Sequence, residues 1–409
     1  MAKEFKDLIV GLDIGTAKIM VVVAEVLPGG DLRLAGLGGA PSNGLKRGVV
    51  VNIDATVSSI QQALKEAELM ADCKIGRVYT GITGSHIRGI NSSGMVAVRS
   101  KEVSPADVMH VVETAKAINI SSDQRLLLVE PQEFIIDGQD VREPVGMSGM
   151  RLEAKVHIVT GAQSAAENIV KCVRRCGLEV DQLLLNPLAS SHAVLTDDER
   201  ELGVVCVDIG AGTTDVAIFT GGSIRHTAVV PIAGDLITSD IAMALRTPTM
   251  DAEDIKVAHG CAKQLLAEAD TQVEVPGLGD RTPRLLSKQA LAGVIEPRVE
   301  EIFQLVQQVI RDSGFEEVLS SGVVITGGSS VMPGMVELGE DIFLKPVRRG
   351  APKYSRALSD MVAQPRSATV MGLLEEARLA RLRGFKVAQK AGTMKSALGR
   401  IKEFIVGNF

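Results

Sequence analysis

The chain has 409 residues and a net charge of −6, with 45% hydrophobic and 23% charged residues. These values indicate a globular protein of about two or three domains and exclude wholesale disorder. Aromatic residues make up only 3% and the five cysteines form no C-x-x-C pair, which argues against a nucleic-acid-binding surface, a disulfide scaffold and a zinc ribbon.

Two segments, one near the start of each half of the chain, share a design. Residues 8–26 and 203–219 are each predicted to form two buried strands joined by a glycine-containing turn. Asp13 and Asp208 occupy equivalent places in the two segments, 195 residues apart. Because this offset is far longer than a solenoid repeat, the sequence indicates two related domains that face one another.

Between Gly84 and Gly161 the sequence predicts a compact block with its own turn signals. A helix is expected to begin after Ser104, which offers an N-cap with proline at the next position. The predicted elements, in order, are a strand at 94–100, a helix from 104 to about 117, and strands at 126–137 and 152–159. We expect this β-α-β-β unit to be an insertion in the first domain.

Further elements follow from glycine and proline positions. Helix 163–176 is predicted to end at Gly177. Residues 287–312 carry apolar side chains at helical spacing and predict a long amphipathic helix. Pro297 lies inside this helix and is expected to kink or split it, because proline removes a backbone hydrogen bond and its ring clashes with the preceding turn.

Three glycine-containing turns follow short apolar strands: DIGTAK at 13–18, DIGAGTTD at 208–215 and ITGGSS at 325–330. Glycine allows positive φ and leaves room for a phosphate oxygen to approach backbone N–H groups. One such turn is usually only structural, but two at matching positions and a later Gly-Gly loop favour phosphate binding. The candidate phosphate-binding residues are Gly15, Thr16, Lys18, Gly210, Gly212, Thr213, Thr214, Gly327, Gly328 and Ser329.

Asp13 and Asp208 are the candidate metal ligands, one from each half. We expect them to hold Mg²⁺ through water molecules, since this ion keeps much of its hydration and takes few carboxylates. The sequence contains neither a P-loop nor a GxGxxG motif. Because these motifs define Walker-type and Rossmann-type nucleotide sites, the sequence argues against both.

The strings VGLDIGTAKI, VVCVDIGAGTTDVAIF and VVITGGSSVMPG resemble, in that order, the phosphate-1, phosphate-2 and adenosine motifs of the actin/Hsp70/sugar-kinase superfamily. The block at 84–161, AEDIKVAHG at 252–260 and the ending KSALGRIKEFIVGNF are similar to the FtsA family of bacterial cell-division proteins, over essentially the full chain. The resemblance implies an α/β, actin-like fold, in which two RNase H-like domains flank a nucleotide cleft and the first domain carries the β-α-β-β insertion.

The resemblance also implies a division of the chain. The implied parts are subdomain 1A (1–83 and 162–196), the inserted subdomain 1C (84–161), subdomain 2A (197–227 and 308–377), subdomain 2B (228–307), a basic linker (378–392) and an amphipathic membrane-targeting helix (393–409).

Ligands and partners are implied on the same basis. Glu253 and Lys256, followed by Gly260, match the residues that contact the purine and ribose of ATP. Arg298 and Glu301 lie where relatives engage the C-terminal peptide of the tubulin-like protein FtsZ. Composition alone would make both charged pairs ordinary surface charges. Self-assembly into a homopolymer and contacts with other division proteins are also implied.

Asn186 departs from the superfamily pattern, which has Gln or Glu where that side chain orients the attacking water. Asparagine is one methylene shorter and cannot act as a carboxylate base. Because hydrolysis needs a positioned and activated water, we expect ATP binding with slow or absent hydrolysis.

The end of the chain indicates a membrane contact. Residues 378–409 carry eight basic residues and one acidic residue, a net +7, which leaves −13 on the remainder of a chain whose total is −6. Apolar residues flanked by Lys and Arg are typical of a helix in a membrane interface, although a helix docked on the protein would share the pattern. The apolar face contains Met394, Leu398, Ile401, Phe404, Ile405 and Phe409.

No apolar run approaches 18 residues and the first residues lack an apolar core, so neither a transmembrane helix nor a secretory signal is expected. Together with the basic C-terminal segment, the family resemblance implies a peripheral protein on the cytoplasmic face of the inner membrane at the division site. A small-molecule kinase of the same superfamily is the alternative, and it would need a general-base aspartate between the domains.

Overall fold

The computed structural model describes residues 7–279, 282–353 and 362–390, with side chains as far as residue 382. In chain order the strands are β1 (Leu8–Ile14), β2 (Lys18–Val26), β3 (Leu32–Pro41), β4 (Leu45–Lys46), β5 (Val49–Val50), β6 (Arg77–Ile82), β7 (Arg88–Ala97), β8 (Gln124–Ile136), β9 (Gln139–Val141), β10 (Arg151–Ala162), β11 (Glu179–Leu185), β12 (Val204–Ile209), β13 (Thr214–Thr220), β14 (Ser223–Val230), β15 (Gln272–Val275), β16 (Arg284–Ser287), β17 (Val323–Thr326) and β18 (Val347–Arg349).

The helices are α1 (Ile53–Ala71), α2 (Pro105–Lys116), α3 (Gln163–Arg175), α4 (Asn186–Val194), α5 (Asp197–Leu202), α6 (Gly234–Leu245), α7 (Thr249–His259), α8 (Lys288–Ser313), α9 (Met335–Phe343) and α10 (Ala368–Lys390). Short 3₁₀ turns lie at Gln264–Leu266, Glu316–Val318, Gly328–Val331 and Pro365–Ser367.

Each half is built on a five-stranded mixed sheet, and the two sheets have the same order. The first is β3-β2-β1-β6-β11 and the second is β14-β13-β12-β17-β18. In each, the first hairpin is antiparallel and its first strand pairs in parallel with the next strand of the sheet. This shared order confirms the prediction of two related α/β domains.

The central strands are buried on both faces. Along β2, Ile19, Val21 and Val23 pack in the core that includes α1, whereas Met20 and Val22 pack in a second core that includes α10. Helices thus cover both sides of the sheet, which explains why the strand segments are nearly continuous apolar runs rather than alternating ones.

The predicted insertion is present as a separate unit. Its antiparallel sheet has the order β7-β10-β8-β9 and packs with α2 around its own apolar core. The Ser104 side chain caps α2, and Asp107 completes a capping box. The unit contains one short strand, β9, that the sequence did not predict, and its first strand begins six residues earlier than predicted, at Arg88.

α8 is a single helix of 26 residues that runs through Pro297, so the proline does not split it. Its apolar face lies in the core of the second half, with Leu291, Ile295, Ile302 and Phe303 fully buried. An internal proline costs about 3 kcal/mol, whereas each large apolar side chain contributes about 1.5–3 kcal/mol on full burial. Packing therefore outweighs the interrupted hydrogen bond.

Two helices cross between the halves. α4 follows the first sheet in the chain but contacts β12 and β13 of the second sheet, and α10 follows the second sheet but contacts β1, β2 and β6 of the first. The crossing joins the halves on the side where the chain passes from one to the other.

This packing corrects the predicted division of the chain, which placed residues up to 377 with the second half. Val370, Met371, Leu374 and Ala377 are buried against the first sheet. The apolar stripe of α10 indicated burial, but its sequence did not specify which sheet covers it.

The predicted basic linker, 378–392, also differs from the structure, because it is helical as far as Lys390. Leucine, alanine and arginine, all good helix formers, continue α10 past residue 377. The predicted amphipathic helix at 393–409 lies outside the described residues. Within the described part of the chain, no helix combines the length and the apolarity needed to cross a membrane.

Candidate functional site

A cavity of about 420 Å³ lies between the two halves, where β1 and β12 end. This volume is in the range of small-molecule sites. The predicted residues that line it are Asp13, Gly15, Thr16, Lys18, Asp208, Gly210, Gly212, Thr213, Glu253, Lys256, Gly260, Gly327, Gly328 and Ser329. Residues that are up to 316 positions apart in the chain, from Asp13 to Ser329, thus meet in one place.

Thr214 is the exception among the candidate phosphate-binding residues. Its side chain is fully buried and its hydroxyl donates a hydrogen bond of 2.7 Å to the carbonyl oxygen of Ile232. Successive residues of a strand point to opposite faces, so Thr213 and Thr214 cannot both face the cavity.

The two phosphate-type turns have the same backbone geometry. The N–H of Gly15 donates to the carbonyl oxygen of Lys18 at 3.0 Å, and the N–H of Gly210 donates to that of Thr213 at 3.0 Å. Lys18 and Thr213 are therefore structurally equivalent residues at the ends of the two turns. One half contributes a cation and the other a hydroxyl to the same cavity.

The turns approach each other closely across the cleft. A β-carbon at Gly212 would lie 2.6 Å from Oγ1 of Thr16 and 2.9 Å from Cα of Arg47, closer than atoms can pack. Thr16 in turn accepts a hydrogen bond of 3.0 Å from the N–H of Gly48. Glycine at 212 is thus needed for the contact between the halves at the cavity.

Besides Glu253, three carboxyl groups line the cavity: Asp13, Asp208 and Asp215. Burial raises the pKa of Asp13 to about 6, with Lys18 opposing the shift and Asp208 adding to it. Burial also raises the pKa of Asp208, although hydrogen bonds from the Ser190 and Thr369 hydroxyls oppose it. Burial and the neighbouring carboxylates raise the pKa of Asp215 well above its ordinary value. A cation in the cavity would offset these unfavourable charges.

The oxygen donors fit a hydrated magnesium ion better than a metal held by the protein alone. Among the described residues, no group of three or more His, Cys, Asp or Glu side chains is placed to hold a metal ion. Mg²⁺ commonly takes one or two carboxylates and completes its shell with waters and substrate phosphates. Asp13 and Asp208, facing one cavity from opposite halves, suit that mode of binding.

Lys18 is the basic side chain of the phosphate-1 turn. Its ammonium group donates to the backbone carbonyl of Arg366, and burial lowers its pKa. Arg366 itself lines the cavity together with Gln364 and Thr369. The segment that begins α10 therefore closes one side of the site.

The opposite side of the cavity is formed by α7 and the loop after β17. The Lys256 ammonium group donates to Glu253 at 2.6 Å and to the Thr238 hydroxyl at 2.8 Å. Glu253 and Lys256 therefore share one face of α7. Val257 and Met332 add apolar surface beside them, which would suit a planar base.

Asn186, at the start of α4, also lines the cavity. Its Oδ1 atom is buried and has no hydrogen-bond partner. A β-carbon at Gly81 would lie 2.0 Å from that oxygen, so only glycine fits at this position of β6. The amide oxygen is thus packed against the backbone of β6, at the wall of the cavity.

Sequence reasoning missed several cavity residues. Asp215 stands in the phosphate-2 motif and pairs directly with Asp208 across the hairpin, so strand register was a usable signal. Thr83, whose hydroxyl donates to the Asp215 carboxylate, gave no such signal. Neither did Arg366 and Thr369, because only the folded chain brings them to the turns.

Arg298 and Glu301 lie outside the cavity, on α8. The Arg298 guanidinium donates to both carboxylate oxygens of Asp240, at 2.5 and 3.0 Å, and also to Glu301. The two residues are therefore members of a partly buried ion-pair network rather than separate solvated charges. The candidate membrane residues Met394, Leu398, Ile401, Phe404, Ile405 and Phe409 lie outside the described residues.

Comparisons with known proteins agree with this geometry. A family model described as "Cell division protein FtsA" matches residues 205–372, and one described as "SHS2 domain inserted in FTSA" matches residues 84–160. The cell division protein FtsA of Pseudomonas aeruginosa is 53% identical, over 98% of each chain. The corresponding protein of Escherichia coli K12 is 46% identical, over 95% of this chain and 94% of its own.

Solved structures of distant proteins share the fold. The PilM–PilN type IV pilus biogenesis complex aligns with a TM-score of 0.64 at 18% identity, covering 90% of this chain and 98% of that one. MreB5 of Spiroplasma citri bound to ADP aligns with a TM-score of 0.55 at 15% identity, covering 94% and 98%. These likenesses confirm the predicted actin-like fold class.

Proposed function

The chain belongs to the FtsA family of cell-division proteins, and we propose that it binds ATP with Mg²⁺ between its halves, assembles with copies of itself and attaches FtsZ filaments to the inner membrane. The observation that carries the nucleotide proposal is the pair of equivalent turns, each ending a buried strand with an aspartate, that meet at one cavity.

Different residues of the cavity would bind different parts of Mg-ATP, according to their chemistry. The backbone N–H groups and hydroxyls of the two turns, including Thr16 and Thr213, are donors for phosphate oxygens. Lys18 adds a positive charge on the first-half side. Glu253 and Lys256 would contact the ribose and base. When bound, the magnesium ion would neutralise phosphate charge, and Asp13 and Asp208 would orient its water ligands.

Hydrolysis is expected to be slow or absent. Asn186 is the polar side chain at the position where relatives of the superfamily orient the attacking water, and a side-chain amide cannot remove a proton from that water. Activation of that water by a general base would therefore be missing. The nucleotide would act chiefly as a ligand that favours one arrangement of the halves.

The membrane proposal depends on the C-terminal segment of the chain. α10 carries the chain away from the cavity toward the basic C-terminal segment, which we propose lies in the anionic inner surface of the membrane at the division site. One such helix binds reversibly, so side-by-side assembly of several copies would strengthen attachment through avidity.

Arg298 and Glu301 are proposed to receive the FtsZ C-terminal peptide.

Calorimetry with Mg-ATP tests the nucleotide proposal on the full-length protein. We expect saturable heat for the wild type and at least about a hundredfold weaker binding for Asp13→Asn and for Asp208→Asn, since a charged contact to the metal is worth roughly 3 kcal/mol. Asp140→Asn, an exposed residue of β9, is the control and should bind normally. Absence of heat for the wild type would disprove the proposal.

A small-molecule kinase remains the alternative because Asp215 places a third aspartate in the cavity, where a kinase would need a general base. Its hydrogen bond from Thr83 favours a structural role instead. Transfer of phosphate from ATP to a sugar or another small metabolite by the purified protein would decide for the kinase.

A further inference from the structure

The inserted subdomain touches the second half of the molecule at a place separate from the cavity. The contact lies between strands β7, β8 and β10 of the insertion and the edge strand β14 of the second sheet. We call it the seam. Its residues are Asn91, Gln132, Glu133 and His157 on the inserted side and Ile224, Arg225 and Thr227 on β14.

His157 is the buried centre of the seam. Its side chain is fully buried, with Nδ1 at 2.6 Å from Oδ1 of Asn91 and Nε2 at 2.9 Å from the Thr227 hydroxyl. Burial, with a smaller effect of His226, lowers the pKa of His157 to about 3, so the ring is neutral. Since the amide oxygen only accepts, Nδ1 carries the proton and Nε2 accepts from Thr227.

Further hydrogen bonds extend the seam along β14. Gln132 donates through Nε2 to the carbonyl oxygen of Ile224 at 2.8 Å, and Asn91 donates through Nδ2 to that of Arg225 at 3.0 Å. The Arg225 guanidinium pairs with Glu133 at 2.6 Å and is only 12% exposed. Burial alone would raise the pKa of Glu133, but hydrogen bonds and charge from Lys155 and Arg225 hold it below its ordinary value.

The two surfaces of the seam lie so close together that position 89 has to be glycine. A β-carbon at Gly89 would lie 2.8 Å from Oγ1 of Thr227 and 2.9 Å from its carbonyl oxygen. Two units that touched only loosely would leave room for a side chain at this position. The two surfaces therefore fit each other in one defined arrangement.

The seam is connected to the cavity at both of its sides. On one side, β14 pairs with β13, where Val229 lies opposite Asp215. On the other side, Thr83 donates to Asp215, and the next residue, Gly84, begins the insertion. Asp215 is thus held both by the strand that forms the seam and by the root of the inserted subdomain.

We propose that the seam couples the cavity to the inserted subdomain, so that binding of Mg-ATP changes the position or rigidity of the insertion relative to the second half. This rests on the nucleotide binding proposed above. Any closure of the halves about the crossing of α4 and α10 moves β14 relative to the first sheet, and the seam transmits that movement because its hydrogen bonds fit one arrangement. By thermodynamic linkage, a ligand of the insertion would change the affinity for Mg-ATP by the same factor.

Hydrogen exchange of the full-length protein, with and without Mg-ATP, tests the coupling. In the wild type, Mg-ATP should slow exchange in β7 and β10 as well as in the two phosphate-type turns. Gln132→Ala removes the hydrogen bonds of Gln132 to the carbonyl oxygens of Ile224 and Arg225, and Thr227→Val removes the hydrogen bond to His157. In both variants the effect on β7 and β10 should fall at least about fivefold, the low end of ordinary coupling factors, while Mg-ATP still protects the turns.

Gln139→Ala is the matched control, because Gln139 is an exposed residue of β9 in the same subdomain, and it should behave as the wild type. Gln132 is only partly buried, so this variant should fold even if Thr227→Val does not. Equal protection of β7 and β10 in wild type and seam variants would overturn the coupling. Protection of the turns without any change in the wild-type insertion would also overturn it while leaving nucleotide binding intact. No heat and no protection anywhere would overturn the proposed function, and this inference with it.

Discussion

Gly372 of α10 lies against Ala189 of α4 so closely that a β-carbon at 372 would be 1.7 Å from the Ala189 carbonyl oxygen. The oxygen belongs to a helix backbone and cannot move independently. The two helices that cross between the halves therefore meet backbone to backbone, and this contact sets how α10 reaches the first sheet from the cavity.

We expect Gly372→Ala to destabilise the protein by about 1–3 kcal/mol or more, because the helices have to separate. The measurement is the free energy of unfolding in urea. Gly339→Ala in α9 is the control, since its β-carbon would meet side-chain atoms at an ordinary 3.4 Å. Alanine is favoured over glycine inside a helix by about 1 kcal/mol, so the control should be neutral or stabilising. Equal effects of the two substitutions would contradict the backbone contact.

The stability of the nucleotide-free protein should depend on pH through Asp13. Its pKa is raised from 3.8 to about 6, so between these values the folded state binds more protons than the unfolded state. Stability from this group therefore falls as pH rises through that window, by roughly 3 kcal/mol in total. Asp13→Asn removes the titration.

Unfolding free energies at pH 4 and pH 7.5 check this expectation. Relative to the wild type, Asp13→Asn should lose less stability between the two pH values. Asp140→Asn, with its exposed carboxylate, should follow the wild type. An identical pH dependence of all three proteins would show that ionisation of Asp13 does not reduce the free energy of unfolding.

Asn186→Gln should raise the rate of ATP hydrolysis, at least about tenfold, because the longer side chain reaches farther toward a water beside the γ-phosphate and positioning groups commonly contribute this much or more. Phosphate release per protein is the measurement. Asn186→Ala is the control and should stay as slow as the wild type. Rapid hydrolysis by the wild type that Asn186→Ala abolishes would contradict the assigned role.

Removal of the residues after Gly392 should abolish membrane binding. The full-length protein is expected to sediment with vesicles of anionic lipid and to do so less at high salt, since each basic residue near the surface contributes about 1 kcal/mol. Vesicles of zwitterionic lipid are the control. Equal sedimentation of the full-length and shortened proteins would eliminate the C-terminal segment as the anchor.

Arg298→Ala should weaken binding of the FtsZ C-terminal peptide about tenfold or more, as for a partly buried charged hydrogen-bonding group. Because Arg298 is already paired with Asp240, Asp240→Asn should free the guanidinium and leave binding unchanged or stronger. Arg311→Ala, on the same helix and 59% exposed, is the matched control. Fluorescence anisotropy of a labelled peptide gives the affinities, and normal binding by Arg298→Ala would remove this residue from the peptide site.

Local patterns in the sequence predicted much of the fold and of the site. The two strand–turn–strand units and the capped helix after Ser104 depend on interactions within a few residues. The phosphate-type turns could be proposed from their local motifs, whereas Glu253, Lys256 and Gly260 were implied only by the family resemblance. Thr214 differs from the other turn residues in that its side chain does not line the cavity, because the motif does not specify which face of β13 points there.

What required the tertiary structure was the partner of each buried surface. The apolar stripe of α10 specifies that the helix is covered, and Arg366 and Thr369 are ordinary polar residues in their own segment. Only the crossing of α4 and α10 places that stripe on the first sheet and brings those residues to one cavity. Hydrophobic burial is not directional, so a sequence pattern can indicate that a face is buried. Which surface covers that face is determined by the tertiary structure.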